Sequence, residues 1–360
     1  MTHHHLLALM LTTVALCSSV VAAEEDLEKG IAGSKTVRGD LVILIGSPGT
    51  EEFGSQFHEW ANRWKWAADK GNWKTETLSA TSLREPMLPR IRTAFELLNK
   101  ESDLPVWVVL IGHGTFDGRD AKFAIPGADL DPGQLREMLK TSTRPTAVVL
   151  CFSSCAPFLP ELSQPDSIIL SATNSGNEVS FSYFGKYLSS AIGSPEADLD
   201  KDEQTSLLEA FLFAARETAN FYESAGRLAT EHPLIEDNGD GRPVPPEGFD
   251  GLRPVNRDDQ AELLPDGLLA HQWHLIPSEA DAGLSPEVLA KRNELELAIA
   301  KLRSHKTEYT QEQYYTEIKD LLLQMADLLI EDEPESRPPE VPLPEVISVE
   351  QAQLNTTSPG

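Results

Sequence analysis

Five short β-type runs punctuate the first half of the chain: Leu41–Ile45, Trp73–Leu78, Val106–Ile111, Ala147–Phe152 and Ile168–Ser171. Amphipathic stretches separate them. After Gly46-Ser47-Pro48-Gly49, the residues Phe53, Phe57, Trp60, Trp64 and Ala67 recur at three- and four-residue spacing, which predicts a helix with one buried face. Gly71 supplies its stop. A second helix is predicted near Arg90–Leu98. Asp131-Pro132 reads as an N-cap with proline at the first helical position, and Leu135, Met138 and Leu139 form the stripe behind it. Further helices cover Phe181–Ser189 and Leu207–Glu223, the latter ending at Gly226. Fully apolar strands alternating with amphipathic helices predict an α/β fold. Its sheet is mainly parallel, with helices on both faces.

The second half reads differently. Residues 233–284 are rich in Pro, Gly and Asp and predict ordered loop with little regular structure. Ser285-Pro286-Glu287 starts a helix to Ser304. Thr310 and Gln313 form a capping box for another, to Ile330. In that last helix Tyr314, Ile318, Leu321, Met325 and Leu328 alternate by four and three. The two helices therefore pair as a C-terminal antiparallel hairpin with a coiled-coil-like seam. The proline-rich acidic tail, 331–360, lacks the apolar surface to fold. The resulting organisation is a leader sequence over 1–23 and a flexible segment over 24–38. The α/β domain covers 39–230, a loop-rich linker 231–284, the helix hairpin 285–330 and the tail 331–360.

Composition sharpens this. The chain has 360 residues, 40 % of them hydrophobic, and a net charge of -27. A polyanionic surface repels nucleic acid and anionic lipid and suits cation binding. Leu6–Val21 is short for a bilayer span, and Val21-Ala22-Ala23 places small residues before Glu24, as in a cleaved secretory signal. Export to a periplasm or the outside is expected, with no integral span after cleavage. Cys17 leaves with the signal, and Leu16 is too large a neighbour for a lipidation site. Cys151 and Cys155 remain, four apart, and make no disulfide framework. Cys151 reads as a small apolar core residue, whereas Cys155 is expected where the strand emerges.

Sites in parallel sheets lie beyond the carboxyl ends of strands. Two loops fit that rule. Gly112-His113-Gly114-Thr115 follows Val106–Ile111, and Ser153-Ser154-Cys155-Ala156-Pro157 follows Ala147–Phe152. Glycines around His113 let the backbone approach a ligand and offer the Gly114 amide to an oxyanion. The plainer reading is a turn histidine that bonds its own loop. A thiol at Cys155 with an imidazole at His113 is the minimum set for acyl transfer, the thiol attacking a carbonyl and the imidazole protonating the leaving amine.

Three segments in order carry a family resemblance: Ile111-Gly112-His113-Gly114, Phe152 through Leu162, and Ser171-Ala172-Thr173-Asn174-Ser175-Gly176. Together they resemble the caspase-like cysteine peptidases, especially the legumain-type C13 family, over about 39–230. The resemblance implies hydrolysis of peptide bonds in a peptide or protein substrate. It makes His113 the proton donor and puts Ser171, Thr173, Asn174 and Ser175 along the substrate cleft. One departure matters. Counted back from Phe158, Ser153 occupies the family's nucleophile position, with Cys155 two residues on. An extended chain points both the same way, so Cys155 serves from one rung further along. The alternative is a catalytically degenerate relative, a calcium-stabilised scaffold that binds peptides or proteins.

Metal chemistry enters at residues 198–209. Asp198, Asp200, Asp202, Gln204, Ser206 and Glu209 match the ligand spacing of an EF-hand loop, and a helix begins where the exit helix belongs. Glu203 replaces the turn glycine and Thr205 the usual aliphatic residue. Structural Ca2+ is the expected ligand, against a solvated acidic loop at a helix N-terminus. Glu236, Asn238 and Asp240, in the acidic half-loop 236–241, form a second candidate or an Asx-rich turn. His271 and His274, near Trp273, read as loop residues. Helical spacing makes Trp60 and Trp64 core residues, not a carbohydrate platform.

Overall fold

The computed structural model describes residues 37–80, 86–101, 104–140, 144–255 and 263–331. The leader and nearly all of the flexible segment and acidic tail lie outside the described residues. The chain divides into two compact units, which meet in sequence at Glu279 and Ala280.

The first unit is built on six strands: β1 (Asp40–Ile45), β2 (Lys74–Ser79), β3 (Val106–Ile111), β6 (Thr146–Cys151), β7 (Ser167–Ser171) and β8 (Leu234–Glu236). Their order across the sheet is β2-β1-β3-β6-β7-β8. The first five run parallel, and β8 joins antiparallel to β7. Every residue of β1, β3, β6 and β7 is buried, which is why each reads as a continuous apolar run. Between β3 and β6 lies a small hairpin of β4 (Gly114–Phe116) and β5 (Ala121–Phe123).

The helices up to Ser224 are α1 (Glu51–Lys70), α2 (Met87–Glu101), α3 (Pro132–Leu139), α4 (Leu159–Leu162), α5 (Phe184–Ala191) and α6 (Leu207–Ser224). They form two groups, α1 with α5 and α6, and α2 with α3 and α4. Right-handed crossovers put the groups on opposite faces, because the chain moves one way from β1 to β2 and the other way from β2 onward. Phe57, Trp60 and Trp64 of α1 are buried with Trp107 of β3. Asp131 caps α3 as its sequence predicts, and Gln134 completes a capping box with it.

Residues 231–284 hold more regular structure than their composition suggests. They supply β8, and Ile235 of that strand exchanges both backbone bonds with Val244. Asp237 is buried and accepts from the amides of Gly267 and Ala270, tying the later loop to the sheet edge. Trp273 and Leu275 complete the core.

The second unit contains α7 (Pro286–Ser304) and α8 (Gln311–Glu331). Ser285 caps α7 and Thr310 pairs with Gln313 at the start of α8. Leu295, Ile299 and Leu302 of α7 and Tyr314 of α8 are buried along the seam. No helix among the described residues is long and apolar enough to cross a membrane.

Candidate functional site

Strand order reverses between β1 and β3, so the crevice beyond their carboxyl ends is the switch point where ligands enter such sheets. Register brings the ends level: Ile45 opposes Ile111, and Ile111 opposes Cys151. The loops after β1, β3 and β6 therefore leave one edge together.

His113 is half-buried at this edge, and its Nε2 lies 3.0 Å from the carbonyl oxygen of Pro48 in the β1 loop. Nε2–H donates there. The rings of Phe53, Phe57 and Phe181 surround the imidazole, with centroids 5.0, 5.2 and 5.8 Å away. Gly114 is required by its neighbours: a Cβ there would lie 1.9 Å from the carbonyl oxygen of Ser153.

Ser153 is the residue of the second loop that meets the first. Its hydroxyl accepts from the Gly114 amide at 3.3 Å and donates to the Gly114 carbonyl at 3.2 Å. The amide expected to hold an oxyanion is thus bonded to Ser153.

Cys155 lies elsewhere. The stretch from Ser153 to Cys155 is not extended, because Ser154 adopts φ 60° in the left-handed region. The chain folds back, and Cys155 turns inward with no exposed surface instead of standing where the strand emerges. Its Sγ lies 3.0 Å from the Ser171 hydroxyl, 3.4 Å from that of Thr173 and 3.6 Å from the Leu150 carbonyl. Burial pushes the thiol up, and the Ser171 and Thr173 hydroxyls pull it back only in part. Cys151 is also buried, and its thiol is raised by the same desolvation. A reactive thiolate needs the reverse, an accessible sulfur with a lowered pKa.

The cleft segment divides the same way. Ser171 and Thr173 are fully buried: the Ser171 hydroxyl donates to the Thr173 carbonyl, and the Thr173 hydroxyl accepts from the Ala156 amide. Asn174 is exposed and Ser175 half-buried. Asn174 reaches a groove of about 610 Å³ whose walls include Phe213, Arg216, His232, Leu234 and Phe249.

Glu178 and Glu231 are site residues that the sequence pattern does not mark. The Glu178 carboxylate takes the amides of Asn174 and His232 and pairs with His232 Nδ1. Its carbonyl accepts from the Ser154 amide at 2.9 Å. One residue thus holds the Cys155 loop, the cleft segment and the groove wall. Glu231 is buried and accepts from the Ser182 and Tyr222 hydroxyls and the amides of Tyr183 and Phe184. Burial raises its pKa despite those four donors. Its partners lie up to 49 residues away, so no local signal announces it.

In the acidic loop, one oxygen each from Asp198, Asp200 and Asp202 gather within 4.8 Å of one another. The second half of the proposed ligand set is otherwise engaged. Ser206 caps α6, and Glu209 closes that capping box while accepting from the Leu199 amide. Gln204 bridges Asp202 and the Ser278 amide. Glu203, at the turn-glycine position, has φ 70°. His271, read as a plain loop residue, lies with Nε2 3.1 Å from Asp200. In the half-loop, Glu236 is buried and accepts from the amides of Gly239 and Gly241. Asn238 and Asp240 accept from Asp240 and Arg242, the pattern of Asx turns.

No known family description matches this chain, and no curated protein matches it. Among solved structures, caspase-1 from Spodoptera frugiperda is similar at 13 % identity with a TM-score of 0.38. The match covers 56 % of this chain and 86 % of that one.

Proposed function

We propose that the chain is an exported, catalytically silent relative of the caspase-like peptidases that binds a peptide or protein segment. The observation that carries this reading is the burial of Cys155 among Leu150, Ser171 and Thr173, with its thiol raised, while Ser153 faces the histidine loop. A serine bonded to both backbone groups of Gly114 has no imidazole among these partners to take its proton. Binding falls to the groove beside Asn174, where Phe213, Leu234 and Phe249 offer apolar contact and Arg216 and His232 offer donors.

Thiol alkylation in the native protein, with the modified cysteine mapped by mass, tests the reading. Cys155 should react far more slowly than after unfolding in denaturant, and His113→Ala should leave its rate unchanged. Fast reaction at neutral pH that is lost in His113→Ala would restore the Cys/His peptidase. Binding itself is read by titrating a peptide library, with Phe249→Ala expected to weaken the best binders.

Calcium belongs to the same reading. The carboxylates of Asp198, Asp200 and Asp202 would hold the ion and tether the α5–α6 connection. Calcium added to chelator-treated protein should raise Tm, since a ligand bound only by the folded state stabilises it. Asp200→Asn should remove that rise. No change in Tm at millimolar calcium would exclude a structural ion.

A further inference from the structure

The helix α8 carries more apolar surface than its own hairpin covers. Tyr314 is buried and Ile318, Leu321, Met325 and Leu328 are half-buried along one side. A second row stands in solvent: Tyr315 at 56 % exposure, Leu322 at 49 %, Leu323 at 50 %, Leu329 at 38 % and Ile330 at 62 %. At about 100° per residue the second row lies about 120° round the helix from the first. Scattered apolar residues are ordinary on a surface, but a row repeating by heptads along a whole helix is a packing face. Tyr315, Leu322 and Leu329 form one heptad series, and Leu323 and Ile330 another.

Apart from Leu329, whose mirror position is Thr316, the row is symmetric about its centre. Leu322 and Leu323 sit in the middle, Lys319 and Ala326 lie equally far to either side, and Tyr315 and Ile330 end it. We propose that two copies of the chain associate through this row, α8 against α8 and antiparallel. Tyr315 then meets the second copy's Ile330, and Leu322 meets its Leu323. Such a contact is isologous and closes on itself as a dimer. Charge selects the direction. Lys319 is the sole base between Gln311 and Glu331, among Glu312, Glu317, Asp320, Asp327 and Glu331. A parallel pair would set like acids side by side, whereas the antiparallel pair sets Lys319 beside the second copy's Asp327. The 21 residues of α8 make a helix of about 31 Å. One helix per copy is a small interface, so association depends on protein concentration. This inference is independent of the reading of the sheet-edge site.

Sedimentation velocity of the full chain across a wide concentration series tests it. The wild-type mass should climb from monomer toward dimer. Leu322→Glu combined with Leu323→Glu should hold the monomer throughout, with unchanged circular dichroism and, at concentrations where the wild type is monomeric, unchanged Tm, because both side chains are half exposed. Lys319→Asp should weaken the dimer several-fold, and adding Asp327→Lys should restore it. A wild-type monomer at every concentration overturns the proposal. So does a dimer that survives the double glutamate substitution, or a Lys319→Asp defect that Asp327→Lys does not repair.

Discussion

The loop after β3 and the loop after β6 leave the same sheet edge, and they treat their reactive side chains in opposite ways. His113 stays half-buried, held by one carbonyl and three phenylalanine rings. Cys155 is drawn inside and bonded to hydroxyls. Strand register delivers a residue to the edge, but one backbone dihedral, at Ser154, decides which way the next side chain faces. Proximity in topology is therefore not a catalytic pair. A scaffold can keep the edge and its groove while hiding the thiol.

The most damaging way to disturb this arrangement is at Gly114. Gly114→Val should destabilise the fold by about 3 kcal/mol, because its Cβ would overlap the Ser153 carbonyl and neither backbone can retreat freely. Gly118→Ala in the same hairpin is the control. It has φ 95° but nothing within 4 Å of an added Cβ, so only the backbone cost of about 1 kcal/mol applies. Equal losses in denaturant titrations of the two would show that the Gly114–Ser153 approach is unimportant.

Ser154 comes next. Ser154→Val should cost about 2 kcal/mol, since a β-branched residue resists a positive φ. Ser154→Gly relieves that strain, and Cys155 should remain unreactive in it. If Cys155 instead becomes readily alkylated in Ser154→Gly, the serine side chain and not the dihedral keeps the thiol inside.

The thiols also set an alkaline limit on stability. Both Cys151 and Cys155 have raised folded pKa values. Above their unfolded value of about 8.5, the unfolded chain releases thiol protons that the folded chain retains. Stability is therefore full below that pH and falls as pH rises toward the folded values. The slope is about 1.4 kcal/mol per pH unit for each thiol. Cys155→Ser should remove one of the two slopes in chemical denaturation measured above pH 9. An unchanged slope would mean that Cys155 ionises equally in both states.

Legibility followed length and locality. The buried parallel strands were readable because each is five or six residues long, carries an unbroken apolar run and lies between helices with regular stripes. β8 was not, because three residues between Pro233 and an Asp/Asn/Gly turn carry too little pattern, and its place comes from pairing with β7. The His113 loop was readable from its glycines. The fate of Cys155 was not, because the left-handed turn falls on a serine where a glycine would have flagged it. Glu178 and Glu231 act on residues about 50 positions away, beyond any helical or strand period.

The smallest effect is expected at Glu178, and it separates folding from binding. The side chain of His232 is 53 % exposed, so its pairing with Glu178 is discounted by solvent to well under ~1 kcal/mol. Glu178→Gln keeps an acceptor for the Asn174 and His232 amides, and the Glu178 carbonyl still holds Ser154. Tm should hardly move, and Cys155 should stay protected. The orientation of His232 in the groove wall should loosen, so peptide affinity should fall while stability does not. A large drop in Tm would instead make Glu178 a structural keystone. The sheet edge and the groove would then be one cooperative unit, not a hidden thiol beside an independent binding surface.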